Sequence, residues 1–209
     1  MVDPLVIHVV RHARTRSNRV KLVMGWAEES IEPDQHDATD AVAARLAAAP
    51  APVRVVSSPL ARARETAGPL AAALTVDLET DDRLGELHQG PWQGLGESEV
   101  ARRWSLEWFV WRTAPETLDL DGRETLAALY ARVAAAFDDL VRSSDAATVV
   151  VFTHDAVVRA AVAWTLGVGP ATHRHIDVAN CSITTIHAST SGPRLVTLND
   201  TSHLPVSER

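Results

Sequence analysis

Cysteine and lysine are nearly absent from this chain, with one of each, Cys181 and Lys21, among 209 residues. A lone cysteine excludes an internal disulfide and fits a reducing compartment. No apolar run has the length of a membrane span, and Met1-Val2-Asp3-Pro4 lacks the basic segment of a signal peptide. The expectation is a cytoplasmic protein with no membrane partner. A net charge of −7 argues against nucleic acid as a partner. It leaves an anionic substrate open, because local charge in a cleft matters more than the total. Metal-binding signatures are missing too. His8 with His12, and His173 with His175, are close pairs, but no cysteine cluster or helical His-Glu-x-x-His accompanies them. They read as strand or surface histidines, and no metal is expected. Repeats, linkers and low-complexity tracts are also lacking.

What remains is an ordinary globular composition, 46% hydrophobic and 22% charged. At this length one domain over residues 1–209 is expected, burying roughly 70% of its unfolded-chain surface. Leu5 to Val10, rich in Val and Ile, reads as a buried strand. Val20 to Asp37, with the acidic run Glu28, Glu29, Glu32 and Asp34, reads as a loop and most simply as a solvated connection. Thr39 or Asp40 is expected to cap a helix through Leu46. Val53 to Ser57 is a second strand, and Ser58-Pro59 looks like the start of a helix that ends at Gly68-Pro69. A third strand is expected over Leu74 to Leu78. Glu97 to Arg112 reads as one helix with Val100, Trp104, Trp108 and Trp111 on one face. A long helix runs from about Arg123 to Arg142. Ala147 to Thr153 suits the centre of a sheet, and Asp155 is expected to cap the helix that ends near Leu166-Gly167. Ser182 to His187 and Leu195 to Leu198 flank a turn over Ser189 to Pro193. Strands alternating with helices imply an α/β sandwich with a mostly parallel central sheet flanked by helices, antiparallel edges being allowed.

The first strand ends in Arg11-His12. In open α/β sheets ligands bind beyond the carboxyl ends of strands. A histidine there can be nucleophile, base or ligand, and the adjacent guanidinium favours an oxyanion such as phosphate. Arg11, Arg14, Arg16, Arg19 and Lys21 form a local cationic patch with no acid among them, Arg14 and Arg16 reading as rim charges. Arg62 falls in the first turn of a helix that follows a strand, where free amides and the positive dipole end gather.

Four segments, in order, resemble the motifs of the histidine phosphatase superfamily, phosphoglycerate-mutase-like branch. Arg11-His12-Ala13-Arg14-Thr15-Arg16-Ser17-Asn18 is similar to Arg-His-Gly-x-Thr-x-x-Asn, with Ala13 in the glycine position. Ser57 to Ala67 looks like Ser-Ser-x-x-x-Arg-x-x-x-Thr-Ala, and Glu86 to Gly94 like Glu-x-x-x-Gly-x-Trp-x-Gly. Val151 to Arg159 resembles the second histidine motif, with Asp155 replacing a common glycine. Gly25-Trp26 resembles a remnant of the family's Gly-Trp element, and Leu198 to Leu204 its usual tail.

This resemblance implies a three-layer, phosphoglycerate-mutase-like sandwich in which residues 88–122 form a substrate-covering insertion. It implies a phosphomonoester hydrolase that passes through phosphohistidine at His12 and acts on a small phosphorylated metabolite without a cofactor. Arg11, Arg62 and a protonated His154 would bind the phosphoryl oxygens, and Glu86 would protonate the departing alcohol. Thr15, Asn18 and Trp92 join as substrate contacts, Asn18 standing equally for a loop-stabilising residue. Ala13 is harmless if its φ is ordinary. The tryptophan stripe reads first as core and second as pocket wall. In the second case Arg102, Arg103 and Arg112 would hold a distal anionic group. A homodimer stays open. Two rivals stand beside the hydrolase. One is a phosphomutase, whose glycolytic members usually carry an arginine-rich segment where this chain has neutral His88-Gln89-Gly90-Pro91-Trp92. The other is a non-catalytic phospholigand-binding domain, whose mark would be loss of His12, Arg62, Glu86 or His154.

Overall fold

The apolar runs meet at the centre of a six-stranded sheet. A computed structural model describes residues 4–51, 53–189 and 191–208; the Met1-Val2-Asp3 start and Thr190, in the turn expected over Ser189 to Pro193, lie outside them. The elements are β1 (Leu5–Arg11), α1 (Arg16–Val20), α2 (His36–Leu46), β2 (Val53–Ser57), α3 (Ala61–Leu74), β3 (Leu78–Thr80), α4 (Glu97–Arg103), α5 (Ser105–Thr113), α6 (Leu126–Ser143), β4 (Thr148–Thr153), α7 (Asp155–Leu166), β5 (Ile183–Ser189) and β6 (Gly192–Asp200). Across the sheet the order is β3-β2-β4-β1-β5-β6. The first four are parallel, and β5 and β6 add an antiparallel edge. All six residues of β4 are buried, as a continuous apolar run inside a parallel sheet requires.

Helices cover both faces. Side-chain alternation sends Ile7, Val9, Val149 and Val151 toward Val133 and Phe137 of α6 and Val157 of α7. It sends Val10, Val150 and Phe152 toward Val42 of α2 and Leu70 of α3. The register then creates the site. Arg11 lies opposite Thr153, and Ser57 opposite Phe152. The residues that follow these strands, His12, His154 and Ser58, therefore emerge side by side at the carboxyl edge of the sheet.

Several elements depart from expectation. The helix does not stop at Gly68-Pro69: α3 runs through Pro69 to Leu74, moving the third strand to Leu78–Thr80. Proline costs a hydrogen bond there, but Ala67, Leu70 and Ala71 bury against the sheet, and packing overrides propensity. Leu60, not Ser58, precedes the first turn of that helix. α2 starts at His36, ahead of Thr39 and Asp40, because a 3-10 turn over Pro33–Gln35 leads directly into it. The helix expected from Arg123 begins at Leu126, capped by Thr125, whose hydroxyl accepts from the Ala128 amide. His154 occupies the cap of α7, so Asp155 is its first residue. The single helix expected over Glu97 to Arg112 breaks at Trp104 (φ −127, ψ 59) into α4 and α5. With that break, Trp108 and Trp111 lie against Trp92, ring centroids 5.8 and 6.4 Å apart. Among the described residues no helix is long and apolar enough to cross a membrane.

Candidate active site

His12 continues β1 by one residue, its amide donating to the Thr153 carbonyl at 2.8 Å. Its Nδ1 lies 2.7 Å from the Ala13 carbonyl. A carbonyl only accepts, so Nδ1 carries the hydrogen and Nε2 keeps the lone pair. Burial, then the charges of Arg62 and Arg11, hold the ring well below the usual histidine pKa. The partner that fixes the tautomer is thus the next residue's own backbone. Ala13 is clamped in turn: its amide donates to Thr66 Oγ1 at 2.9 Å, and that hydroxyl donates to the Arg62 carbonyl at 2.7 Å. Ala13 is fully buried, and its φ is not positive. Alanine therefore meets no backbone strain here, and a larger side chain would meet the core.

Arg62, in the first turn of α3, is 2% exposed. Its Nη1 donates to the Ala27 carbonyl at 2.9 Å and its Nη2 to the Gly25 carbonyl at 2.7 Å. The loop after α1 is thus more than a solvated connection: it brackets this guanidinium, and its Trp26 indole donates to the Glu86 carbonyl. The acidic run in that loop also corrects the reading of an unbalanced cationic patch. Glu32 pairs with Arg14 and Arg19, Asp34 with Arg14, and Glu29 accepts from Ser17. Arg11 and Arg62 are the arginines that line the cleft.

His154 is buried, its ring centroid 5.1 Å from that of His12. Its Nε2 lies 2.7 Å from Ser58 Oγ, while Nδ1 has no partner among the described residues. Burial, then Arg62, His12 and Arg11, lower its pKa far below the usual value. Burial and these cations favour the neutral ring. A bound dianion would reverse the sign of the local field and favour the proton.

Glu86 is half-buried at the cleft. Burial, then Asp155, push its pKa up, while the Leu87 amide, Arg62 and Arg11 pull it down; the balance is upward. The Leu87 amide donates to Oε1 at 2.7 Å. Arg132 fixes the main chain here, donating to the carbonyls of Arg83, Gly85 and Glu86 at 2.7 to 3.0 Å while pairing with Glu124. From sequence Ser58 reads only as a helix start and motif residue, and Arg132 has no assigned role, since their partners here are long-range. Asp155, read as a cap, lines the cleft instead. It accepts from Arg159 at 2.7 and 3.1 Å and lies 3.7 Å from Arg11.

Thr15 and Asn18 also line the cleft, and they cap α1 reciprocally. Asn18 Oδ1 accepts from the Thr15 amide at 3.1 Å and from Asn180 at 3.3 Å, which leaves its NH2 as the group able to meet an anion. The tryptophans divide. Trp92, Trp108 and Trp111 line the cleft, although Trp92 is only 1% exposed. Trp104, half-buried against the cluster of Trp92, Val100 and Leu118, does not line the cleft. The Arg123 guanidinium lies 4.3 Å from the Trp111 ring centroid and 5.1 Å from that of Trp92. Arg102, Arg103 and Arg112 are exposed and none lines the cleft, so the distal anion role expected for them has no support. His8 and His173 have their own partners, Thr185 Oγ1 at 3.0 Å and the Tyr130 hydroxyl at 3.2 Å. The cleft between floor and tryptophans holds about 240 Å³.

Known proteins resemble this chain over most of its length. Phosphoserine phosphatase 1 of Hydrogenobacter thermophilus is 28% identical over 196 residues, 94% of this chain and 92% of that one. Phosphoglycerate mutase-like protein 4 of Arabidopsis thaliana is 31% identical over 160 residues, 76% of this chain and 70% of that one. The solved structure of Bacillus stearothermophilus YhfR superposes with a TM-score of 0.90 at 21% identity, covering 96% of this chain and 100% of that one, and so shares the fold. Residues 7–201 match the histidine phosphatase superfamily, branch 1, and the chain belongs to that family.

Proposed function

We propose that the protein is a phosphomonoester hydrolase that works through phosphohistidine at His12 on a small phosphorylated metabolite. The observation that carries this reading is the buried His12 ring, its Nδ1 held on the Ala13 carbonyl so that Nε2 keeps its lone pair, with Arg11, Arg62 and His154 around it. A phosphate dianion entering the cleft meets both guanidinium groups and the Asn18 amide, and it brings His154 the charge that favours protonation. Nε2 attacks phosphorus as the bond to the ester oxygen breaks, with charge spread over the equatorial oxygens and held by these donors. Glu86, whose pKa burial pushes up, gives its proton to the departing alkoxide. The resulting carboxylate takes a proton from water as the oxygen attacks phosphorus. The N–P bond then breaks, and neutral His12 and inorganic phosphate are restored.

Residues 88–122 cover the leaving group in this scheme. The segment that directly follows Glu86 presents Gln89 and Trp92 to the cleft and no cation. That favours hydrolysis over a mutase, which must retain a second anionic group. Catalysis with no metal or cofactor, a cytoplasmic location and a small-molecule partner rather than nucleic acid complete the reading.

The test is a phosphomonoester panel assayed for free phosphate with and without chelator, with quenched turnover examined for acid-labile, base-stable phosphate on the protein. Chelator-resistant hydrolysis with label on His12 is expected. Activity lost on chelation and restored by a divalent ion, or the absence of a labelled histidine, would overturn the mechanism.

A further inference from the structure

Outside its phosphate-binding floor the cleft changes sign. Arg11, Arg62 and Glu86 sit at the floor, and the other charged side chains lining the cleft are the carboxylates Asp155 and Glu97. Asp155 is occupied by Arg159 and Arg11. Glu97 differs: it is exposed at the mouth of the lining, and among the described residues its carboxylate has no ion-pair or hydrogen-bond partner, whereas Glu99 on the same helix is paired with Arg103. A carboxylate in the first turn of α4 suits the helix dipole, and Glu99 serves that purpose equally, without lining the cleft. The half-buried indoles of Trp108 and Trp111 line the same cleft as Glu97. Two cations back this wall without lining the cleft: Arg123, buried behind Trp92 and Trp111, and the exposed Arg112, whose guanidinium lies 6.0 Å from the Trp108 ring centroid.

A carboxylate next to indole rings attracts a compact organic cation, through charge and through the ring faces, and it repels a second anion. We infer that the leaving group carries an alkylammonium head held between Glu97 and the Trp108–Trp111 wall, so that the preferred substrates are phosphomonoesters of amino alcohols. Phosphorylated acids and bisphosphates are disfavoured, and a zwitterionic ester falls between. This specificity rests on the hydrolase reading and names the substrate class for the same cleft.

The experiment compares kcat/KM for phosphocholine and phosphoethanolamine with that for uncharged glycerol phosphate and for 3-phosphoglycerate. It is done in the wild type, in Glu97→Gln and in the control Glu99→Gln. Binding of the same esters to His12→Ala is measured in parallel by calorimetry. The cationic-to-uncharged ratio should exceed one, fall about fivefold to tenfold in Glu97→Gln and hold in Glu99→Gln. Hydrolysis with 3-phosphoglycerate preferred, or with a ratio that Glu97→Gln leaves unchanged, overturns the inference while the hydrolase stands. If no ester is hydrolysed, binding decides. Tighter binding of the cationic esters to His12→Ala sustains the inference while the hydrolase reading falls, and equal or reversed binding removes both.

Discussion

The two sides of the cleft are built on opposite plans. The floor draws His12, Ser58, Arg62, Glu86 and His154 from distant segments and holds most of their polar atoms by hydrogen bonds to backbone or to buried hydroxyls. The wall comes from one stretch, roughly residues 89 to 123, and is held by aromatic packing around a buried guanidinium. Its Trp92 indole N–H has no partner among the described residues, and α5 leaves Leu106 77% and Phe109 65% exposed. A transferring phosphoryl group needs fixed charges, which a rigid multi-strand edge supplies. A leaving group needs shape and sign, which one local segment can alter without disturbing the floor. The difference implies that chemistry resides in the first region and discrimination in the second.

The sharpest way to break that division is His12→Ala. Turnover of every ester should fall by a factor on the order of 10⁴ to 10⁶, with the urea midpoint little changed, because no other group takes over the covalent step. Steady-state assay across the ester panel checks this. A loss confined to bulky esters would move the chemistry into the wall.

Glu86→Gln tests the floor by a different route. Turnover should fall about 10²- to 10⁴-fold, the usual contribution of a general acid. Folding favours the protonated form of Glu86, since burial and Asp155 raise its pKa. Its stabilisation is therefore complete below the ordinary carboxylate pKa and lost as pH rises through the raised value, so the charged form opposes folding at neutral pH. Glutamine carries no such charge and can still accept from the Leu87 amide. The variant should melt higher than wild type at neutral pH while losing activity. The wild-type kcat/KM profile should fall on its alkaline side as Glu86 ionises. Its acid limb should lie below 6.5, because the His12 pKa is held well under that ordinary value. An acid limb at or above 6.5, or a less stable glutamine variant, would contradict this account of the floor.

The floor was legible in the sequence because strand ends announce themselves: apolar runs stop abruptly at Arg11-His12, Ser57-Ser58 and Thr153-His154, and register does the rest. The wall was only half legible. Helical spacing identified the stripe of Trp104, Trp108 and Trp111, yet periodicity carries no sign of the break at Trp104. Nor does it announce a guanidinium 4.3 Å from an indole centroid. The loop after α1 was misjudged because its contribution to the site comes from the carbonyls of Gly25 and Ala27, which any residue type provides. Pro69 misled because local propensity is outweighed by what a helix buries.

Trp92→Ala separates core from pocket within the wall. Trp92 is almost wholly buried and touches Trp108, Trp111 and Arg123, so its removal leaves a cavity and an uncovered charge. Stability should drop by about 3–5 kcal/mol in urea melts. Among folded molecules kcat/KM should fall alike for small and bulky esters. Trp111→Ala, at a half-buried position, should instead cost about 1–3 kcal/mol of kcat/KM for bulky esters and spare small ones. Identical profiles for the two variants would erase the distinction between the buried and the half-buried lining residues of the wall.

The smallest expected effect returns to the floor. Ala13 stands where the family pattern has glycine, and its backbone bridges the nucleophile and the anion site: its carbonyl accepts from His12 Nδ1 and its amide donates to Thr66. Its φ is not positive and its methyl group is fully buried, so glycine would relieve no strain and would lose a small apolar contact. Ala13→Gly should destabilise the protein by about 0.5–1 kcal/mol, chiefly by raising the entropy of the unfolded chain. Because Thr66 still holds the amide, the carbonyl that orients His12 should keep its place, and kcat should change by less than about twofold. Urea denaturation beside steady-state kinetics measures both. A glycine variant that is more stable or several-fold faster would mean that Ala13 strains the backbone behind His12, and that the floor is less settled than its hydrogen bonds imply.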